Sequence, residues 1–221
     1  MTVRLAIFDV DGTLVDSQAT IVGCMQAAFA AEGLPAPTPE AVRRIVGLTL
    51  PIATAELLGE PDPARAGRLA ERYKEAFFAA RARPDFAEPL FPGAREVLDR
   101  LLAEGWLLGV ATGKAMRGLQ AVLERHGLGG RFATLQTADL HPSKPHPAML
   151  EAALAATGCR PEAAFMVGDT TFDILMARAA GVAPIGVAWG NHPPDELEAA
   201  GAVRVLGHFL ELIDHVGAPE R

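Results

Sequence analysis

The sequence predicts an α/β fold: a parallel sheet covered by helices on both faces, with an all-helical segment inserted after the first strand. Three observations carry this. Short, continuously apolar runs alternate with helical stretches through the second half of the chain. Strands that are apolar on both faces belong to parallel sheets lying between helix layers. One similar run stands at the N-terminus, separated from the rest by residues with helical periodicity. Finally, reactive polar residues follow directly after the apolar runs, where ligands bind in such sheets.

In chain order, "RLAIF" (residues 4–8) reads as the first strand. From Ser17 to about Arg83 the pattern is helical: Ile21, Met25 and Phe29 recur at i, i+4 and i+8, as do Leu69, Tyr73 and Phe77. "GLPAPTPE" interrupts this stretch and offers Thr38 as an N-cap with Pro39 at the first helical position. "GEPDP" does the same with Asp62 and Pro63. About four helices and no strand are expected here, with Met25, Phe29, Phe77 and Phe78 as core. The Pro-rich "RPDFAEPLFPG" (residues 83–93) marks the boundary.

Beyond it, a helix near 93–104 precedes the strand "WLLGVAT" (106–112). A helix over about 115–126, ended by Gly127, precedes "RFATLQT". A helix near 146–157, ended by Gly158, precedes "AAFMVGD" (163–169). A helix over about 171–180, ended by Gly181, precedes "VAPIGVAWG", and a short strand (203–206) and helix (209–216) follow. The simplest arrangement is a core of residues 1–16 and 88–221 with a helical insert of 17–87.

Composition narrows the function. The chain has 221 residues, 50% of them hydrophobic, and a formal net charge of −7. Phosphate-backbone binding needs clustered Lys and Arg, so a nucleic-acid partner is not expected. No apolar run approaches the roughly 18–20 residues that span a bilayer, so no membrane association is expected. Cys24 and Cys159 show no CxxC pairing, which suggests neither a zinc site nor a disulfide framework. A cytoplasmic protein, monomer or homodimer, is the expectation.

Chemistry gathers at the strand ends. Asp9 and Asp11 lie two residues apart after the first strand, so both carboxylates can face one site. Their mutual repulsion would be relieved by a divalent cation. With Asp169 after "AAFMVG" as a third oxygen ligand, a hard cation such as Mg²⁺ is indicated. Lys144, in "DLHPSKPHP", supplies a point charge for a phosphoryl oxygen. The Thr112 hydroxyl and nearby backbone N–H groups can bind further oxygens, and Gly113 lets the backbone approach a ligand. "TTFD" is also a capping box, with Thr170 at the N-cap and Asp173 three residues on, a role that can coexist with one in the site. Lys114 reads as a solvated helix-start residue, and His141 and His146 as loop-packing or capping residues. Pro145 raises the question of a cis bond after Lys144.

"DVDGT" with "LVDS", then "ATGK", "SKPHP" and "GDTTFD", resembles the four-motif signature of the haloacid dehalogenase-like hydrolases, in particular their phosphoglycolate phosphatase-like branch. The resemblance spans nearly the whole chain. It implies a Rossmann-like, three-layer α/β/α core with the helical insert as a cap domain. It further implies Asp9 as the nucleophile that becomes an aspartyl-phosphate, and Asp11 as the acid and base. Thr112 and Lys144 would hold the phosphoryl oxygens, with Gly12 and Gly113 beside them. Mg²⁺ would be bound by Asp9, Asp169 and the backbone carbonyl of Asp11, and Asp173 would orient Lys144 or a metal-bound water. By the same resemblance the loop "RRIVGLTL" would contact substrate; its Arg43 and Arg44 read either as a second anion site, with Arg44 binding substrate, or as a solvated helix face.

The leading expectation is thus a Mg²⁺-dependent phosphatase acting on a small phosphorylated metabolite of the phosphoglycolate kind. A β-phosphoglucomutase-like sugar-phosphate mutase would use the same residues. A catalytically silent regulatory protein would not need all four motifs intact.

Overall fold

The computed structural model describes residues 2–216. Six strands form one parallel sheet in the order β3-β2-β1-β4-β5-β6. They are β1 (Leu5–Phe8), β2 (Leu107–Thr112), β3 (Thr134–Thr137), β4 (Ala164–Gly168), β5 (Ala183–Val187) and β6 (Arg204–Leu206). β1 lies centrally between β2 and β4, with Phe8 level with Val110 on one side and Val167 on the other. This order places the topological switch between β1 and β4, and the ends of those two strands therefore flank the crevice.

Why β1 must be continuously apolar follows from its two faces. Its four residues are wholly buried. Side-chain alternation sends Ala6 and Phe8 into one core and Leu5 and Ile7 into the other. The first core takes its helical side from α5 (Ala94–Ala103) and α6 (Met116–Arg125), through Val97, Leu98, Leu101, Leu119 and Leu123. The second takes α7 (Ala148–Thr157) and α8 (Thr171–Ala179), through Met149, Leu150, Met176 and Ala177. Two short helices, α9 (Pro194–Ala200) and α10 (Glu211–Val216), complete the layers.

Between β1 and α5 run the four expected helices: α1 (Gln18–Ala31), α2 (Pro39–Arg44), α3 (Leu50–Leu58) and α4 (Pro63–Arg81). The Thr38 hydroxyl accepts from the Ala41 N–H and the Asp62 carboxylate from the Arg65 N–H, so both proposed caps form. These helices bury a cluster of their own, including Met25, Ala28, Phe29, Val42 and Leu69. The chain leaves and re-enters the sheet layer side by side. Val15 and Leu90 form an antiparallel bridge, and the Asp16 N–H donates to the Pro89 carbonyl at 2.8 Å.

Two local expectations need correction. Phe78 is not core: it is 68% exposed, because it sits one residue, about 100° of helix turn, beyond the inward-facing Phe77. A 3₁₀ turn at Pro161–Ala163, not anticipated, leads into β4.

Candidate active site

The loops after β1, β2 and β4 converge with residues 139–145 on one buried polar cluster. Asp9 directly follows β1 and is 1% exposed. Its Oδ1 accepts from the Lys144 ammonium at 2.8 Å, and the same ammonium donates to Asp173 Oδ1 at 2.6 Å. Lys144 is itself fully enclosed, and its peptide bond to Pro145 is cis. Asp173 is held on α8 by the capping box: Thr170 donates to its Oδ2 through both N–H (3.1 Å) and hydroxyl (2.7 Å). The capping role and the lysine-anchoring role of Asp173 therefore coexist on its two oxygens.

Asp169, one residue past β4, is fully buried. Its Oδ1 accepts from the Thr13 hydroxyl at 2.9 Å, and its Oδ2 from both the backbone N–H and the side-chain amide of Asn191 at 2.8 Å. Gly12 makes this packing possible. Its φ is +86°, and a Cβ there would lie 2.3 Å from Asp169 Oδ2.

Asp11 points elsewhere. Its Oδ1 accepts from Ser17 Oγ at 2.7 Å, and its Oδ2 lies 3.0 Å from Lys114 Nζ. The Lys114 ammonium also sits 5.0 Å from the centre of the Phe77 ring on α4. Lys114 is thus not a solvated helix-start residue: its side chain is only 10% exposed, because Asp11 and Phe77 enclose it. Burial disfavours its charge, but the carboxylates of Asp11 and Glu88 outweigh this and raise its pKa.

Thr112 is buried at the end of β2, its hydroxyl accepting from the Lys114 N–H at 3.3 Å. What approaches Gly113 most closely is the insert: a Cβ there would lie 2.5 Å from the Gly47 carbonyl. Ser143 Oγ accepts from the Thr49 N–H, a second contact between the 47–49 loop and the sheet layer.

Arg44 departs from expectation. It does not line the cavity over these residues; its guanidinium pairs with Glu196 on α9. A basic pair suggests an anion site, but Arg43 and Arg44 form the last turn of α2, and Arg44's partner is a carboxylate 152 positions along the chain. His141 bonds Gln136 at 2.6 Å, and His146 Nδ1 accepts from the Ala148 N–H that opens α7; both have local packing and capping roles.

The charges do not balance. The carboxylate oxygens of Asp9, Asp169 and Asp173 gather within 4.8 Å of one another, and one ammonium serves them. Burial raises the Asp9 carboxyl to about 6, with Lys144 pulling it back and Asp173 pushing it up. Burial and the Asp9 and Asp173 charges raise Asp169 to about 7. Asp9 Oδ2 is buried with no hydrogen-bond partner, an exception among buried polar atoms. An all-oxygen donor set with surplus negative charge and one unpartnered oxygen fits a hard divalent cation of the Mg²⁺ type. The Asp11 carboxylate is outside this cluster, so the only ligand atom the resemblance assigns to Asp11 is its backbone carbonyl.

A cavity of about 600 Å³ opens over Asp9, Asp11, Thr112 and Lys114 and is roofed by α1, α4, the 45–49 loop and the start of α3. Among the described residues, no helix is long and apolar enough to cross a membrane. Two residues near the cluster carry no sequence motif. Asn191 fixes Asp169, and His192 joins three elements: its Nδ1 accepts from the Thr171 N–H at 3.1 Å, and its Nε2 lies 3.3 Å from the Arg44 carbonyl. Burial lowers the His192 pKa, which favours the neutral ring this acceptor needs. The position of Asn191 just past β5 is the signal that could have found it.

The model of the haloacid dehalogenase-like hydrolase family matches residues 6–187. Among curated proteins, the chain is 38% identical over 211 residues to "Probable phosphatase IndB" of Dickeya dadantii (strain 3937), covering 95% of this chain and 91% of that protein. It is 33% identical over 225 residues to the phosphoglycolate phosphatase of Rhodospirillum rubrum, covering 98% and 92%. Among solved structures, a hydrolase from Pseudomonas syringae superposes with a TM-score of 0.86 at 27% identity, covering 99% of this chain and all of that one (100%).

Proposed function

The chain belongs to the haloacid dehalogenase-like hydrolases and is a phosphatase, and on that premise we propose that it hydrolyses small phosphomonoesters by way of a phosphoryl group carried on Asp9. The observation that carries this reading is the buried ammonium of Lys144 shared between Asp9 and Asp173, beside an Asp9 oxygen with no partner.

The Asp9 carboxylate attacks phosphorus, an O–P bond forms, and the bond to the leaving oxygen breaks. Asp11, aimed by Ser17 and Lys114, gives that oxygen its proton and then takes one from the water that hydrolyses the aspartyl-phosphate. Lys144 and the Thr112 hydroxyl hold the phosphoryl oxygens, and Asp173 keeps the ammonium in place. Asp9, Asp169 and the Asp11 carbonyl, with Asp173 adjoining, would hold Mg²⁺, which when bound supplies positive charge against the carboxylates and the phosphoryl group. Gly12 and Gly113 serve by close packing, the first against Asp169 and the second against the 47–48 backbone.

In the same reading residues 17–87 form a cap over a core of 1–16 and 88–221. The separate apolar cluster of the four helices and the paired crossings at Val15 and Leu90 support that division. A cytoplasmic location suits the two buried free thiols, Cys24 and Cys159.

The test is a phosphate-release panel with Mg²⁺, run on wild type and Asp9→Asn. Turnover by the wild type and none by a folded variant is expected. Equal activity, or equal inactivity across the panel, contradicts the reading. An isomerisation assay on the same sugar phosphates separates hydrolysis from mutase chemistry.

A further inference from the structure

The cavity is far larger and more apolar than a two-carbon acid requires. Its volume, about 600 Å³, lies within the range that holds drug-sized ligands. On the α4 side Tyr73 and Phe77 form an aromatic pair one helical turn apart, ring centres 5.9 Å from each other. Facing them are Ile21 and Met25 of α1, with Ile45 from the roof loop and Leu50 at the start of α3.

Position relative to Asp11 makes these walls informative. If Asp11 protonates the leaving oxygen, the carbon body of the substrate begins at Asp11. Phe77 lies against the lysine that grips Asp11. Tyr73, one turn before Phe77 on the same helix, lines the same cavity as Asp11. So the first surface the leaving group meets is aromatic.

Of the three Lys and Arg side chains that line the cavity, two are in ion pairs. Lys114 pairs with Asp11, Lys74 with Glu71, and Arg44, outside the lining, with Glu196. Arg81, one turn beyond Phe77, also lines the cavity, at its α4 end. A short hydroxy-acid phosphate would leave the Ile21, Met25, Tyr73 and Phe77 walls uncovered, and a carboxylate set against them would be costly to bury unpaired.

Resting on the phosphatase reading, we infer that the preferred substrates are phosphomonoesters of alcohols with an apolar, ring-sized body that stacks on Tyr73 and Phe77. The phosphoryl end stays at Asp9, and the ring replaces water along the α1–α4 walls.

The experiment compares three alkyl esters, so that leaving-group acidity does not decide the result: 2-phenylethyl phosphate, ethyl phosphate and phosphoglycolate, each with Mg²⁺. The inference expects kcat/KM for 2-phenylethyl phosphate to exceed both others by about tenfold or more. Tyr73→Ala should cut the phenylethyl-to-ethyl ratio about fivefold or more, and Tyr73→Phe, which keeps the ring, should preserve it. Met25→Ala on the facing wall is the second variant if Tyr73→Ala does not fold, with the same direction expected. A wild-type ratio below tenfold, or one that the wall variants leave unmoved, overturns the inference while the phosphatase reading stands. No turnover of any ester overturns the phosphatase reading and the inference together.

Discussion

Lys114 Nζ lies 3.0 Å from Asp11 Oδ2 and 5.0 Å from the centre of the Phe77 ring. One side chain of the sheet layer thus touches both the proposed acid–base residue and the helical insert. Removing its ammonium with Lys114→Met leaves Asp11 with Ser17 alone. A positioned general acid is worth about 10²–10⁴ in rate, and an alkyl leaving group needs it more than p-nitrophenolate does. Pre-steady-state kinetics should therefore show phosphoryl transfer from an alkyl phosphate slowed tenfold or more beyond any slowing with p-nitrophenyl phosphate. Equal slowing of both esters would mean that Lys114 only supports the fold.

Lys144 is enclosed between Asp9 and Asp173. Breaking a buried pair by deleting one partner costs about 3–5 kcal/mol, because the remaining charges lose their compensation. Lys144→Met should abolish turnover and lower the melting temperature sharply in metal-free buffer. Lys144→Met with Asp173→Leu should recover part of that stability and none of the activity. Calorimetry with phosphate-release assays checks both halves.

Asp9 and Asp169 predict how metal and pH interact. Their carboxyls titrate at about 6 and about 7 in the fold, above the ordinary aspartate value, because burial disfavours their charge. Below about pH 4 folded and unfolded chains both hold these protons. Between there and about pH 7 the folded chain binds more protons than the unfolded one, so metal-free stability falls as pH rises. A cation that pairs with the ionised carboxylates offsets this loss. Melting curves in chelator and in excess Mg²⁺ should differ more near pH 7.5 than near pH 5. An increment of the same size at both would place the cation elsewhere.

Asn191 donates two hydrogen bonds to Asp169 Oδ2, one from its side chain. Outer contacts of this kind orient metal ligands, and losing one weakens affinity about 10–100-fold. Asn191→Ala should raise the Mg²⁺ concentration needed for half-maximal activity by that order, with kcat at saturating Mg²⁺ changed far less. Titration calorimetry gives the affinity independently of turnover.

How far the sequence reaches depends on the range of the interaction. β1, the alternation after Pro89 and the caps at Thr38 and Asp62 follow from local periodicity and turn chemistry, and the structure has them. Asp9, Lys144, Asp169 and Asp173 are legible because strand ends in a parallel sheet point to one edge. The failures are long-range. The enclosure of Lys114 needs Phe77 from the insert, and the diversion of Arg44 needs Glu196 on a late helix. Helical spacing marks Tyr73 and Phe77 as one face, but not whether that face meets a core or a cavity.

The central claim is that Asp9 carries the phosphoryl group. Rapid quenching of the enzyme during turnover of a phosphorus-labelled ester, followed by peptide mapping, tests it directly. A hydroxylamine-sensitive label is expected on the peptide containing Asp9, formed and lost at rates consistent with turnover, and absent from Asp9→Asn. A label on another residue, or full turnover by a chain that never becomes labelled, would contradict it.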